Sequence, residues 1–364
     1  MRWASDSRTA SASARAFGAR HGRVRVAGSH NDRARPGTSC TFLAITHGEQ
    51  NTPRIPPALS VVVFAYREQD TIVDAVQSLL EQASPEQFEV IVATSGGDRS
   101  ATLVRSRFPH VEVIESPRRL LPGAARNAGM RAASGDIVAF LEGDCRAAPG
   151  WVSGRLAAHR RGHPAVACAM TSSGPSRPWA WAWHFDLYSG RLPGRPAGVV
   201  RYPDPAVHGL SLDRAALGRM GPFDEGLEVA TDTDAARRLS ELGIEMWFEP
   251  SVCTAHPGPR STVAMLRDRY RRGAVAARAQ AATAARDTPR GFVPMWWSRT
   301  RRSMVVGWRY GGGERWRLLA SLPWLAASCA AGVAGRRRGR ESVAEREGFV
   351  ELDDNDPGGS KHDQ

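Results

Sequence analysis

The chain reads as an α/β protein: a mostly parallel sheet flanked by helices, with a helical, basic C-terminal extension. Three observations predict this. The apolar runs SVVVFAY from Ser60, FEVIVAT from Phe88, VEVIE from Val111 and DIVAFL from Asp136 are continuous rather than alternating, the pattern of strands buried on both faces. Helical stretches lie between them, and strand, helix, strand in that order requires crossovers and parallel pairing. From residue 256 to 346 the composition shifts to 19 arginines against five acids.

Taken in order, residues 1–54 are rich in Ala, Arg, Ser and Gly without periodicity and are expected to form a disordered extension. Residues 55–255 form the main domain. After the first strand, Ile72, Val73, Val76, Leu79, Leu80 and Ala83 recur at helical spacing behind an Asp70-Thr71 cap signal. Pro122 and Gly123 open a later helix, Ser134-Gly135 stop it, and the run Ile137–Leu141 follows as a buried strand. Residues 256–346 are expected to be Arg-rich and helical, and 347–364 an acidic, disordered tail.

Of 364 residues, 42% are hydrophobic and 24% charged, enough for a substantial core. The net charge of +12 sits in the flanks while the middle is slightly acidic, which argues against nucleic acid and for a surface-docking region attached to a neutral core. Five cysteines without a C-x-x-C pair suit reduced thiols, and the N-terminal residues lack an apolar stretch of leader length. A cytoplasmic location is therefore expected.

The segment AFLEGDC, 139–145, carries the first chemical signal. Its apolar run delivers Glu142 and Asp144 to the C-terminal end of a central strand, where ligands of parallel sheets bind. Two acids there, without a neighbouring Lys, suit a divalent cation held against phosphate oxygens. An acid-Gly-acid turn is also at home on a solvent loop. The second signal, FDEGLEVATDTDAARRL, sets Asp232 and Asp234 at a helix start, which equally suits capping.

Residues 59 to about 256 resemble a family 2 glycosyltransferase of the GT-A (Rossmann-like) fold. The resemblance rests on SVVVFAYREQDTI, GAARNAGMRAASGDIVAFLEGD, MGPFDEGLEVATDTDAARRLSELG and FEPSVCTAH in that order. It implies a nucleotide-sugar-binding half at 55–145 and an acceptor half at 146–255. It implies Asp144 as ligand of Mn²⁺ or Mg²⁺, with Glu142 as the longer stand-in for the first Asp of a D-x-D motif and His256 joining the metal. Asp232 takes the place of the catalytic base, although Thr231 replaces the Glu before it. Glu68, Thr94, Asp98, Arg126 and Asn127 fall on the donor side, but Ala93 and Thr94 replace an Asp pair that contacts base and ribose. Asp234, Trp181 and Trp183 are expected on the acceptor side, Asp234 in a supporting role.

The implied function is metal-dependent, inverting transfer of a sugar from a nucleotide-diphosphate donor to an acceptor hydroxyl. The acceptor class is a carbohydrate or a lipid-linked or envelope glycan. A catalytically degenerate nucleotide-sugar-binding protein is the main alternative. A nucleotidyltransferase ranks below it, because AYREQDT is not a Gly-rich phosphate loop. Trp179, Trp181 and Trp183 suit a sugar-stacking face if extended, and a core anchor or a membrane interface otherwise. The apolar run 318–335 with flanking arginines fits either an anchor on the anionic inner face of the cell membrane or a buried terminal helix pair.

Overall fold

The computed structural model describes residues 56–174, 177–204, 209–282 and 291–353. The extension expected at 1–54 lies outside the described residues, as do residues 354–364 of the expected acidic tail. The elements are β1 (Leu59–Tyr66), α1 (Ile72–Leu80), β2 (Phe88–Ser95), α2 (Ser100–Arg107), β3 (Glu112–Ser116), α3 (Pro122–Ala132) and β4 (Ile137–Glu142). There follow β5 (Arg146–Ala147), α4 (Trp151–Arg160), β6 (Ala165–Ser172), α5 (Pro178–Tyr188), β7 (Gly198–Val200), β8 (Ser211–Asp213), α6 (Arg214–Met220), α7 (Thr231–Glu241) and β9 (Met246–His256). The C-terminal part is helical: α8 (Thr262–Ala282), α9 (Phe292–Tyr310), α10 (Arg315–Ala320) and α11 (Leu322–Asp353). Helix α11 thus runs into the stretch expected to be a tail at 347–353.

The sheet order is β3-β2-β1-β4-β8-β6-β9-β5, with β7 also paired to β9. All long pairings, β1 with β2 and β4, β2 with β3, and β6 with β9, are parallel. The antiparallel pairings span only two or three residues each. The mostly parallel sheet flanked by helices is therefore present.

Alternation along the strands explains why the apolar runs are continuous. Leu59, Val61, Val63 and Ala65 of β1, with Ala139 and Leu141 of β4, face one core packed by α1 and α4. Val62 and Phe64, with Val138 and Phe140, face a second core packed by α6 and α7. Both faces are buried, so the strands are apolar on both sides, and the polar exception in β1, Ser60, is satisfied by donating to Glu89.

Helix α8 lies against α11 at a separation only glycine permits. A Cβ on Gly273 would overlap the Gly332 carbonyl oxygen, and one on Gly335 would overlap the Tyr270 carbonyl oxygen. Leu318, Leu325, Cys329 and Val333 are buried, so part of the apolar run 318–335 packs into a protein core, while Leu319 is exposed. Among the described residues no single helix is long and apolar enough to cross a membrane. The bent pair Gly312–Ala320 and Leu322–Ser342, turning by 80°, meets that length and composition only together.

Candidate active site

A cleft of about 390 Å³ opens at the C-terminal ends of β1 and β4. The parallel pairing sets Phe64 of β1 level with Glu142, so both strand ends reach its floor. Glu142, Asp144, His256 and Asp232 all line it, together with Glu68 and Arg126. Two acid motifs about ninety residues apart in sequence thus share one cavity.

The acids at the strand end form a cluster. Ligand atoms of Glu142, Asp144, Cys145 and His256 lie within 4.8 Å of one another. His256 Nε2 stands 3.5 Å from Asp144 Oδ2. The Gly258 N–H donates to His256 Nδ1 at 3.1 Å, which places the proton of the neutral ring on Nε2. The two carboxylates therefore suit a hard divalent cation as they stand, whereas His256 becomes a ligand through Nε2 only by yielding its Gly258 contact. Burial, followed by the nearby Asp144 and Glu142 charges, pushes the Cys145 thiol well above its ordinary range. The two carboxylates and the imidazole are the harder donors of the cluster, and oxygen-rich donors suit Mn²⁺ or Mg²⁺.

Glu68 faces this cluster and responds to its charge. Its pKa rises from 4.5 to about 7, first through burial and then through Asp144, while a hydrogen bond from Thr71 opposes the rise. Between those values the folded protein binds more protons than the unfolded chain, so stability falls as pH rises from 4.5 to 7. In metal-free protein, Glu68→Gln should gain stability relative to the parent across that window. Urea denaturation at both ends checks it, and a difference between the two proteins that does not change with pH would refute the assignment.

Asp232 is placed by a turn and an arginine. Ala230, at φ +67°, adopts the left-handed conformation immediately before α7, turning Thr231 and Asp232 into the cleft. Arg126 on α3 donates to Thr231 Oγ1 at 2.6 Å and to Asp232 Oδ1 at 3.1 Å. Its guanidinium is buried, 4.1 Å above the Phe64 ring. Thr231, a departure from the expected Glu, therefore helps seat the arginine that orients Asp232.

Several expected site residues have other duties. Asn127 is buried, donates to the Phe223 carbonyl and to Glu225, and accepts from the Phe223 N–H, so it clamps that turn rather than lining the cleft. Gly123 serves the same packing, since a Cβ there would overlap the Asp224 carbonyl oxygen. Thr94 is buried within β2 and is not part of the lining. Asp98 accepts from the Gln69 N–H and from Ser100 at the start of α2; it reaches Glu68 only as a nearby charge. Asp234 pairs with Arg237 and Arg238 along its own helix. Trp181 and Trp183 lie on helix α5, not on an extended segment, and are 3% exposed. Trp183 donates to Asp268 at 2.8 Å and packs its ring on His256, so it backs the site instead of meeting an acceptor.

The residues that sequence reasoning missed are mostly cationic. Arg119, Tyr188, Arg191, Arg271 and Arg272 line the same cleft. Burial draws Arg191 below its ordinary value, with Tyr188 and Asp232 opposing, and Arg272 is held by Asp268 at 3.0 Å. The acids and the arginines together make a polar cleft that carries both signs of charge. Part of the C-terminal basic charge therefore serves the cleft, not a surface. The available signal was the spacing of Met265, Arg269 and Arg272, which puts two arginines on the inward stripe of α8.

Comparison with known proteins finds similarity to glycosyltransferases. Residues 60–216 match the family model for glycosyl transferase family 2. The pre-mycofactocin glycosyltransferase of Mycobacterium tuberculosis is 30% identical over 157 residues, covering 40% of this chain and 32% of that protein. The match thus spans about a third of the length of that relative. Glycosyltransferase AglE of Haloferax volcanii is 23% identical over 223 residues, covering 60% of this chain and 72% of that protein. Among solved structures, the mannosyltransferase PcManGT of Pyrobaculum calidifontis, in complex with GDP-Man and Mn²⁺, aligns at a TM-score of 0.46. It is 20% identical and the alignment covers 84% of this chain and 83% of that one. The strand-end acids Glu142 and Asp144 fall inside the matched segment, residues 60–216, which is the part of this chain that is similar to glycosyl transferase family 2.

Proposed function

We propose that the protein transfers a sugar from a nucleotide-diphosphate donor to an acceptor hydroxyl with inversion. The carrying observation is that Glu142, Asp144 and Asp232 line one cleft together with Arg191, Arg271 and Arg272. Glu142 and Asp144 would hold Mn²⁺ or Mg²⁺, with His256 completing the set after its proton moves to Nδ1. Such a cation supplies charge neutralisation on the diphosphate. Arg191, Arg271 and Arg272 meet the negative charge that collects on the departing diphosphate, a task suited to guanidinium groups in a partly dehydrated cleft. Asp232, oriented by Arg126, accepts the proton of the attacking hydroxyl at its carboxylate. One displacement with base and leaving group on opposite sides of the sugar gives inversion.

The relatives' printed names cover glycosyl transfer to different acceptors, and the proposal for this chain extends to a carbohydrate or lipid-linked acceptor at the cytoplasmic face of the membrane. The test is a panel of nucleotide sugars assayed for turnover with Mn²⁺, with Mg²⁺ and with chelator. Chelation and Asp144→Ala should each abolish turnover, and Asp144→Ala should remove the metal dependence of donor binding in calorimetry. Donor binding without turnover across the panel and a range of acceptors would favour the degenerate binding protein. Turnover unaffected by chelator would refute the metal site.

A further inference from the structure

The exposed face of α9 and α10 is unlike the rest of the surface. Val293, Trp297, Arg301, Val305 and Trp308 recur at intervals of three to four residues and form one stripe along α9. Trp316 on α10 continues it, meeting the Trp308 ring edge to face at 6.1 Å, and Leu319 lies one turn further on. Exposure is large for such side chains: 57% for Trp297, 64% for Val293 and 68% for Trp316. Exposed arginines border the stripe: Arg302 and Arg309 on α9, and Arg315, whose guanidinium stands 5.6 Å over the Trp308 ring. The acid at this surface, Glu314, is already paired with Arg317.

We infer that this face docks on an anionic lipid bilayer. Scattered apolar residues on a surface are ordinary, but a contiguous band of tryptophans and valines is not. Tryptophan is amphipathic and favours the boundary between headgroups and acyl chains, and arginines beside it meet lipid phosphates. The charge is one-sided, which selects an anionic surface over a neutral one. Most of the apolar run 318–335 packs inward through Leu318, Leu325, Cys329 and Val333, and of its large side chains Leu319 joins the exposed α9 and α10 face. That face adjoins the cleft wall: Gly194, three residues beyond Arg191, packs against the Tyr310 carbonyl at the end of α9. Docking there would bring the cleft close to an acceptor held in the bilayer, yet the docking itself does not depend on the transferase reading.

The test is sedimentation of the full chain with vesicles of phosphatidylcholine alone or mixed with phosphatidylglycerol. The protein should sediment with the anionic vesicles, bind the neutral ones weakly and be released by salt. The variant Arg301→Ser/Arg302→Ser, whose side chains are exposed and outside the core, should keep its circular-dichroism melting curve and lose roughly ten-fold or more in vesicle affinity. Trp297→Ser/Trp308→Ser/Trp316→Ser should lose binding to a similar degree. No sedimentation with anionic vesicles, equal salt-insensitive binding to neutral ones, or unchanged binding in both variants would each overturn the inference. So would a dimer seen by light scattering that both variants dissociate, because the face would then belong to a second copy of the chain.

Discussion

Replacing Asp232 by Asn is expected to lower turnover by about 10²–10⁴-fold while leaving donor affinity within a few-fold of the parent. The amide keeps the volume of the carboxylate and can still accept from Arg126, which holds Asp232 Oδ1 at 3.1 Å. What it loses is the ability to take a proton from the acceptor hydroxyl. Asp144→Ala makes the contrast, since it removes a cation ligand on the donor side and should depress donor binding and turnover together. Stopped-flow or calorimetric donor binding, measured beside steady-state rates for both variants, separates the two roles. If Asp232→Asn retained near-parental turnover, the base would have to be another group lining the cleft, and Glu68, with its pKa near 7, would be the first to examine.

The acids that line the cleft were legible because they sit at places that sequence pattern marks well. Glu142 and Asp144 follow an uninterrupted apolar run, and such a run has few readings other than a buried strand. Asp232 begins a helix whose apolar positions Ala235 and Leu239 face the core at proper spacing. The donor-side expectations fared differently. Thr94, Asp98 and Asn127 came from positional resemblance, which fixes a residue's place along the chain but not whether its polar atoms are already used. Asn127 spends its amide on the Phe223–Glu225 turn, and Asp98 spends its carboxylate on the start of α2.

Buried charge was the other hidden feature. Helix α5 is apolar around nearly its whole circumference, so the alternation of its tryptophans said nothing about direction. The arginines of α8 resembled a solvated basic helix in composition. Spacing puts Arg269 on the inward stripe of α8, but the partner that makes its burial tolerable comes from a segment more than eighty residues earlier, which spacing along one helix does not reveal.

That partner is Asp186, and its removal is expected to have the largest effect on stability. The Asp186 side chain is fully buried on α5. Its Oδ2 accepts from Arg269 Nε at 2.7 Å and from Ser328 Oγ at 2.8 Å, and its Oδ1 accepts from Arg299 Nε at 2.7 Å. One carboxylate thus joins α5 to α8, α9 and α11. Burial works against its charge, but Arg269 and Arg299 overcome that and hold the carboxyl well below its ordinary 3.8. Because the folded value is depressed, the contribution is present above about pH 3.8 and is lost as pH falls through the folded value. Asp186→Ala would leave Arg269 buried without its counter-charge, at a cost of about 3–5 kcal/mol. Asp186→Asn should cost less, since the amide oxygen still accepts one hydrogen bond. Denaturant titration at neutral pH measures both. The same substitution should also raise the donor KM, because Tyr188 lies two residues along α5 and Arg272 one turn along α8 from the broken pair, and both line the cleft. A loss of stability below about 1 kcal/mol would mean that the helices are held by their apolar and glycine contacts alone, with the ion network contributing little net energy.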